Sequence, residues 1–147
     1  MPRPVPEPIE FLGRTFTVVI DGPDADARYS ATIIEAATGR MLTKTPVRGR
    51  SEDDVRDRAA DVIRTLVTIE RLSAIVVAVV GELAPGATVE LTEDARALHA
   101  DVRGGWVLSP PLALPREEIT DPDADLDAWA KYIRDYLTAY LIPAGTA

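Results

Sequence analysis

The sequence predicts an α+β protein in which an antiparallel sheet is covered by two amphipathic helices. Three observations predict it. Residues 51–71 place apolar side chains at three- and four-residue steps, and residues 126–141 do so again. Most of the remaining chain consists of short segments with β-branched or aromatic residues, separated by glycine, proline and aspartate turns. These segments follow one another at spacings that suit hairpins better than parallel crossovers.

The first helix is the clearest element. Ser51 can accept a hydrogen bond from the free amides of the first turn, which makes it an N-cap. Asp54, three residues on, stands where a capping box carries Glu or Gln. Glu52, Asp53 and Asp54 put negative charge at the positive end of the helix dipole. Val55, Ala59, Val62, Ile63, Leu66 and Ile69 form the apolar stripe. Arg56, Asp57, Arg58, Asp61 and Arg64 fill the other face, spaced to pair along a solvated surface.

Upstream, Phe11–Ile20 reads as a first strand and Arg28–Ala37 as a second. Arg40–Val47 reads as a third, with Pro46 marking it as an edge strand or ending it. Three strands and a helix make a βββα unit. Beyond Arg71 the run Leu72–Leu83 suits a buried strand or more helix, and periodicity alone does not decide between them. Pro85-Gly86 turns the chain. Ala87–Leu91, Arg96–Val102 and Trp106–Leu114 read as strands, the last broken by Pro110 and Pro111. The second helix, Leu126–Leu141, carries Leu126, Trp129, Ile133, Tyr136, Leu137, Tyr140 and Leu141 on its apolar stripe and stops at Pro143. The order of elements in 11–71 and 87–142 admits a duplicated βββα unit within a single domain spanning 1–147. Residues 1–10 carry prolines at 2, 4, 6 and 8 and read as an extended arm.

At 147 residues the chain fits one domain, for which roughly 100–200 residues are usual. It contains no cysteine, which excludes disulfides, zinc–thiolate sites and thiol catalysis. The N-terminus has no apolar core of signal-peptide length, and the longest apolar run, Ala74–Val80, is too short to span a bilayer. A soluble, cytoplasmic protein is expected. The formal net charge of −8 opposes broad binding to a phosphate backbone and suits a basic protein partner.

Catalytic constellations are not visible. His99 is the only histidine, and no G-x-S-x-G elbow accompanies it. Asp121, Asp123, Asp125 and Asp127 alternate like calcium-loop ligands, but the sixth and twelfth positions of such a loop hold Leu126 and Tyr132. Helix capping accounts for the same aspartates. No metal site, cofactor or catalytic residue is therefore expected. The chain also lacks a Walker loop, a dinucleotide fingerprint and an H-E-x-x-H motif. The one basic stretch contains Arg40, Lys44, Arg48 and Arg50, with no acid among them. Their even numbering would place all four on one face of a strand. That face either binds nucleic acid or a phosphate ligand, or protects an edge strand from aggregation.

The helix-opening stretch Gly49-Arg50-Ser51-Glu52-Asp53-Asp54-Val55, followed by Ala59 and Ala60, approximates a G-x-[ST]-x-x-E-A pattern behind three strands. In this respect residues 14–70 resemble the degraded double-stranded-RNA-binding-like module of HicB-type antitoxins. The family's glycine-rich second hairpin and its C-terminal DNA-binding segment are missing. The resemblance implies a binding module that blocks a basic partner protein and implies no catalysis. The functional expectation is thus a small protein-interaction module, dimerising with itself through an edge strand or the 72–83 run. The alternative is nucleic-acid or phosphate binding through Arg40, Lys44, Arg48 and Arg50.

Overall fold

A computed structural model describes residues 8–145. The expected proline-rich arm, 1–10, falls largely outside them. The protein is α+β, and every strand pairing is antiparallel. The chain divides into two compact units, the first ending at Val67 and the second beginning at Thr68.

The first unit is a four-stranded sheet in the order β1(Ile9–Phe11), β2(Arg14–Asp21), β3(Tyr29–Glu35), β4(Val47–Gly49). The segment 11–20, expected as one strand, is part of a hairpin. Phe11 pairs with Arg14 across a two-residue loop. Leu12 and Gly13 both take positive φ, at 49° and 78°. That is the geometry of a tight turn that matches the twist of its strands. Between β2 and β3, Phe16 faces Glu35, Val18 faces Ile33 and Ile20 faces Ala31. Phe16, Val18, Ala31 and Ile33 are buried on one side of the sheet. At its open end Arg14 donates two hydrogen bonds to Glu35, at 2.7 and 3.0 Å, and its guanidinium lies over the Phe16 ring. Those bonds hold the Glu35 carboxyl below its ordinary range.

The expected third strand, Arg40–Val47, is corrected. Residues 42–46 follow an irregular path; just before and at its start the chain meets β3 through the bond from the Glu35 amide to the Arg40 carbonyl, an Ile34–Met41 bridge and the bond from the Leu42 amide to the Ile33 carbonyl. The strand begins at Val47, directly after Pro46, which cannot donate to a ladder.

Helix α1(Glu52–Leu83) is 32 residues long, about 48 Å at 1.5 Å per residue. It starts as the sequence predicts. The Ser51 hydroxyl accepts from the Asp54 amide at 3.0 Å. The Asp54 carboxylate reaches back to the Arg50 amide at 2.9 Å, one residue earlier than in a standard capping box. Gly49 lies buried against this start. A Cβ there would stand 2.6 Å from Val55 Cγ2 and 2.9 Å from the Val55 amide nitrogen. The undecided stretch Leu72–Leu83 is helix. Pro85 and Gly86 end it, with Gly86 at a φ of 85°.

Two apolar cores form along α1. Val55, Ala59, Ile63 and Val67 belong to the first, with Phe16, Val18, Ala31 and Ile33. Val62 and Leu66 are half-buried beside them. Ile69, Leu72, Val76, Val79 and Val80 belong to the second. The four-residue rhythm breaks at Val67, Thr68 and Ile69, which are buried consecutively.

The second unit adds a three-stranded set, ordered β5(Thr88–Glu93), β6(Ala97–Arg103), β8(Leu112–Pro115), and a two-stranded set of β7(Trp106–Leu108) with β9(Leu141–Pro143). Two helices complete it: α2(Arg116–Ile119), which the sequence reading did not anticipate, and α3(Leu126–Tyr140). Leu98, Ala100 and Val102 of β6, Leu112 and Leu114 of β8, Ile119, Ile133 and Leu137 close over the second half of α1. Arg134 on α3 donates to Glu82 in the last turn of α1 at 3.0 Å.

Two stability outcomes follow from this packing. Gly49→Ala forces a methyl against the backbone and side chain of Val55 and should cost about 1–3 kcal/mol. Leu72→Ala opens a cavity in the second core and should cost about 2–5 kcal/mol. Urea unfolding with far-UV circular dichroism measures both; unchanged midpoints would contradict the packing described.

Candidate functional site

The four expected binding residues are not carried by one strand. Arg40 sits in the turn after β3, its amide bonded to the Thr38 hydroxyl. Lys44 lies in the irregular segment. Arg48 is on β4, opposite Ser30, and Arg50 follows the strand with its amide bound to Asp54. All four side chains are exposed, but only Arg48 is borne by a strand. The expectation of a basic strand face is corrected: it required 40–47 to be extended, and the break at Pro46 removes the alternation that would have aligned them. Arg48 also has acidic company, since it helps hold the Asp24 carboxyl low after the Arg28 and Asp26 amides that bind it.

Two aspartates of the run, Asp121 and Asp125, serve local structure. Asp125 is the N-cap of α3 and accepts from the Asp127 and Ala128 amides at 3.1 and 3.2 Å. Asp121 accepts from the Asp123 amide at 2.8 Å. Among the described residues no cluster of three or more His, Asp or Glu could hold a metal ion. His99, on the half-buried side of β6, contacts Asp94 with its Nε2 at 2.9 Å. Asp94 closes the β5–β6 turn: it accepts from the Arg96 and Ala97 amides at 2.7 and 2.9 Å. Those two amides first, and His99 after them, hold its carboxyl down to about 2. A hollow beside this pair is lined by Glu90, Thr92, Asp101 and Arg103, with Glu90 and Arg103 already ion-paired at 3.0 Å. These bonds favour the charged form of the aspartate and tie it to its turn.

The feature that stands out is on α3. Trp129, Tyr132, Tyr136 and Tyr140 form a continuous ladder of rings, with centroids 5.5, 6.0 and 4.6 Å apart. Trp129 meets Tyr132 edge-on at 81°. The sequence reading assigned Trp129, Tyr136 and Tyr140 to the buried stripe and passed over Tyr132. In the structure only Ile133 and Leu137 of α3 are fully buried. Trp129 and Tyr136 rest on the shoulder of the core, while Tyr132 and Tyr140 are each 44% exposed. The Tyr136 hydroxyl donates to the Pro110 carbonyl at 2.8 Å and lies 3.4 Å from that of Pro111. Burial, and then its tyrosine neighbours, push the Tyr136 phenol above its ordinary value.

Beside the first half of the ladder is an open groove of about 420 Å³, lined by Ala113, Pro115, Glu118, Ala128, Trp129 and Tyr132. At the far end, the two-stranded set carries Val107 directly opposite Ile142, 41% and 42% exposed, two residues beyond Tyr140. No helix among the described residues is long and apolar enough to cross a membrane. No family model, curated protein or solved structure matches the chain.

The Asp94 carboxyl has a folded value below its ordinary 3.8, so its contribution to stability is complete above that value and is lost as pH falls through about 2. The stability difference between the wild type and Asp94→Ala should therefore be flat at neutral pH and shrink across that acid window. Chemical denaturation at a series of pH values reads it; a difference that grows on acidification would contradict the assignment.

Proposed function

We propose that the protein is a small, non-catalytic, cytoplasmic interaction module that binds protein partners and associates with itself as a dimer. One observation carries this reading: the exposed, mutually opposed pair Val107 and Ile142, next to the exposed Tyr140, on a set of only two strands. Single exposed apolar residues are ordinary on protein surfaces. Here three large ones gather around one strand pair. A two-stranded set leaves backbone donors and acceptors on its outer edges, which are ready to pair with another strand. The same patch on a second copy would be self-complementary across a two-fold axis.

The resemblance of residues 14–70 to HicB-type antitoxins belongs to this proposal and supplies the kind of partner, a basic protein suited to a chain of net charge −8. The duplicated βββα arrangement, with α1 and α3 as the two covering helices, is likewise proposed on element order; strand pairing differs between the halves, with β7 joining β9 in the second. Nucleic-acid binding through Arg40, Lys44, Arg48 and Arg50 has no arrangement in its favour, because the four are spread over a turn, an irregular segment and one short strand.

Sedimentation velocity tests the reading. The wild type should show a concentration-dependent dimer. The double substitution Val107→Lys and Ile142→Lys should weaken self-association by about tenfold or more while leaving the circular dichroism spectrum unchanged. A wild type that stays monomeric at high concentration, or a double variant that dimerises as before, would overturn it.

A further inference from the structure

We propose that the groove between β8, α2 and the first half of α3 binds an extended, proline-containing peptide that carries a basic side chain. The groove uses Trp129, Tyr132 and Glu118, residues separate from the Val107–Ile142 pair, so the inference goes beyond self-association and does not depend on it.

Trp129 and Tyr132 meet at 81° with centroids 5.5 Å apart, so the two rings form a corner with aromatic surface on both walls. A proline ring is rigid, apolar and compact, and fits such a corner without freezing side-chain rotors. A proline-rich segment is extended before it binds, so docking it costs little ordering entropy. The remaining walls are the small or apolar Ala113, Ala128 and Pro115. At about 420 Å³ the groove falls within the range of about 300–1,000 Å³ found for ligand sites.

The next ring along the same ladder, Tyr136, already engages a Pro-Pro segment of this chain. Its hydroxyl donates to the Pro110 carbonyl at 2.8 Å, with the Pro111 carbonyl 3.4 Å away. Prolines lack an amide donor, so their carbonyls have no neighbouring proline N–H to pair with and are open to a tyrosine hydroxyl. One ring of the ladder, Tyr136, thus already holds Pro110 and Pro111, and two further rings of the ladder, Trp129 and Tyr132, line an open groove.

Glu118 is the one carboxylate among the groove's lining residues, and it is exposed. Glu117 precedes it, and Arg116, the nearest cation on α2, is turned to Glu93 at 3.2 Å. A lysine or arginine in the ligand would meet the Glu118 carboxylate, whereas an acidic ligand would be repelled by it.

The test is calorimetric titration of the intact chain with acetyl-PPPRPPPR-amide, together with proton–nitrogen spectra of the two tryptophan indoles. The expected result is saturable binding below about 1 mM, with the Trp129 indole signal moving and the Trp106 signal unmoved. Replacing the peptide's prolines by alanine should weaken binding about tenfold, as should Tyr132→Ala, whose ring is outside the core. Glu118→Lys should weaken the arginine peptide about tenfold and leave a glutamine-for-arginine peptide unaffected. Absence of saturation at about 1 mM, equal binding of the alanine peptide, or a response at Trp106 in place of Trp129 would each overturn the proposal.

Discussion

Burial of the apolar positions of α1 is the constraint on which the rest of the structure depends. A helix of 32 residues is nearly three times the ordinary length of about 11–12. Nothing local would hold its second half, where Ile75, Val76, Val77, Val79 and Val80 all have restricted side-chain rotamers in a helix. Each large apolar side chain removed from water contributes about 1.5–3 kcal/mol. Val55, Ile63 and Val67 obtain this from the first sheet; Leu72, Val76, Val79 and Val80 obtain it from β6, β8 and α3. The consecutive burial of Val67, Thr68 and Ile69 marks where the helix passes from one core to the other.

What was legible in the sequence was what local chemistry determines. Ser51 and Asp54 announce a helix start whatever follows, and Asp125 does the same for α3. Alternating residues in 29–35 and 97–103 announce strands. The fate of 72–83 was not legible, because valine-rich segments suit a strand until a core is supplied, and that core is assembled from residues as distant in sequence as Leu137 and Leu141. The β1–β2 hairpin was hidden by Leu12, a residue that rarely takes positive φ. The basic face over 40–50 was inferred from numbering alone and depended on a continuous strand, whereas the strand begins only after Pro46.

The candidate surfaces show a related limit. Helical periodicity identifies a side of α3, but it does not separate the centre of that side from its shoulders. Ile133 and Leu137 occupy the centre and are sealed; the rings of Trp129, Tyr132, Tyr136 and Tyr140 line the shoulder and remain half in solvent. Large rings can serve both roles because one edge packs while the other stays wet. The surface of α3 thus offers aromatic and apolar area in an acidic protein. Two of the aspartates that looked like ligands, Asp121 and Asp125, are occupied in a turn and a cap, and the lone histidine is joined to Asp94 in the β5–β6 turn.

The continuity of α1 through the change of core is the central claim, and backbone chemical shifts with amide hydrogen exchange across residues 60–83 test it most directly. Uninterrupted helical shifts, with slowly exchanging amides at Val67, Thr68 and Ile69 and onward through Val80, are the predicted result. Extended-strand shifts anywhere in 72–83, or rapid exchange at 67–69, would contradict it.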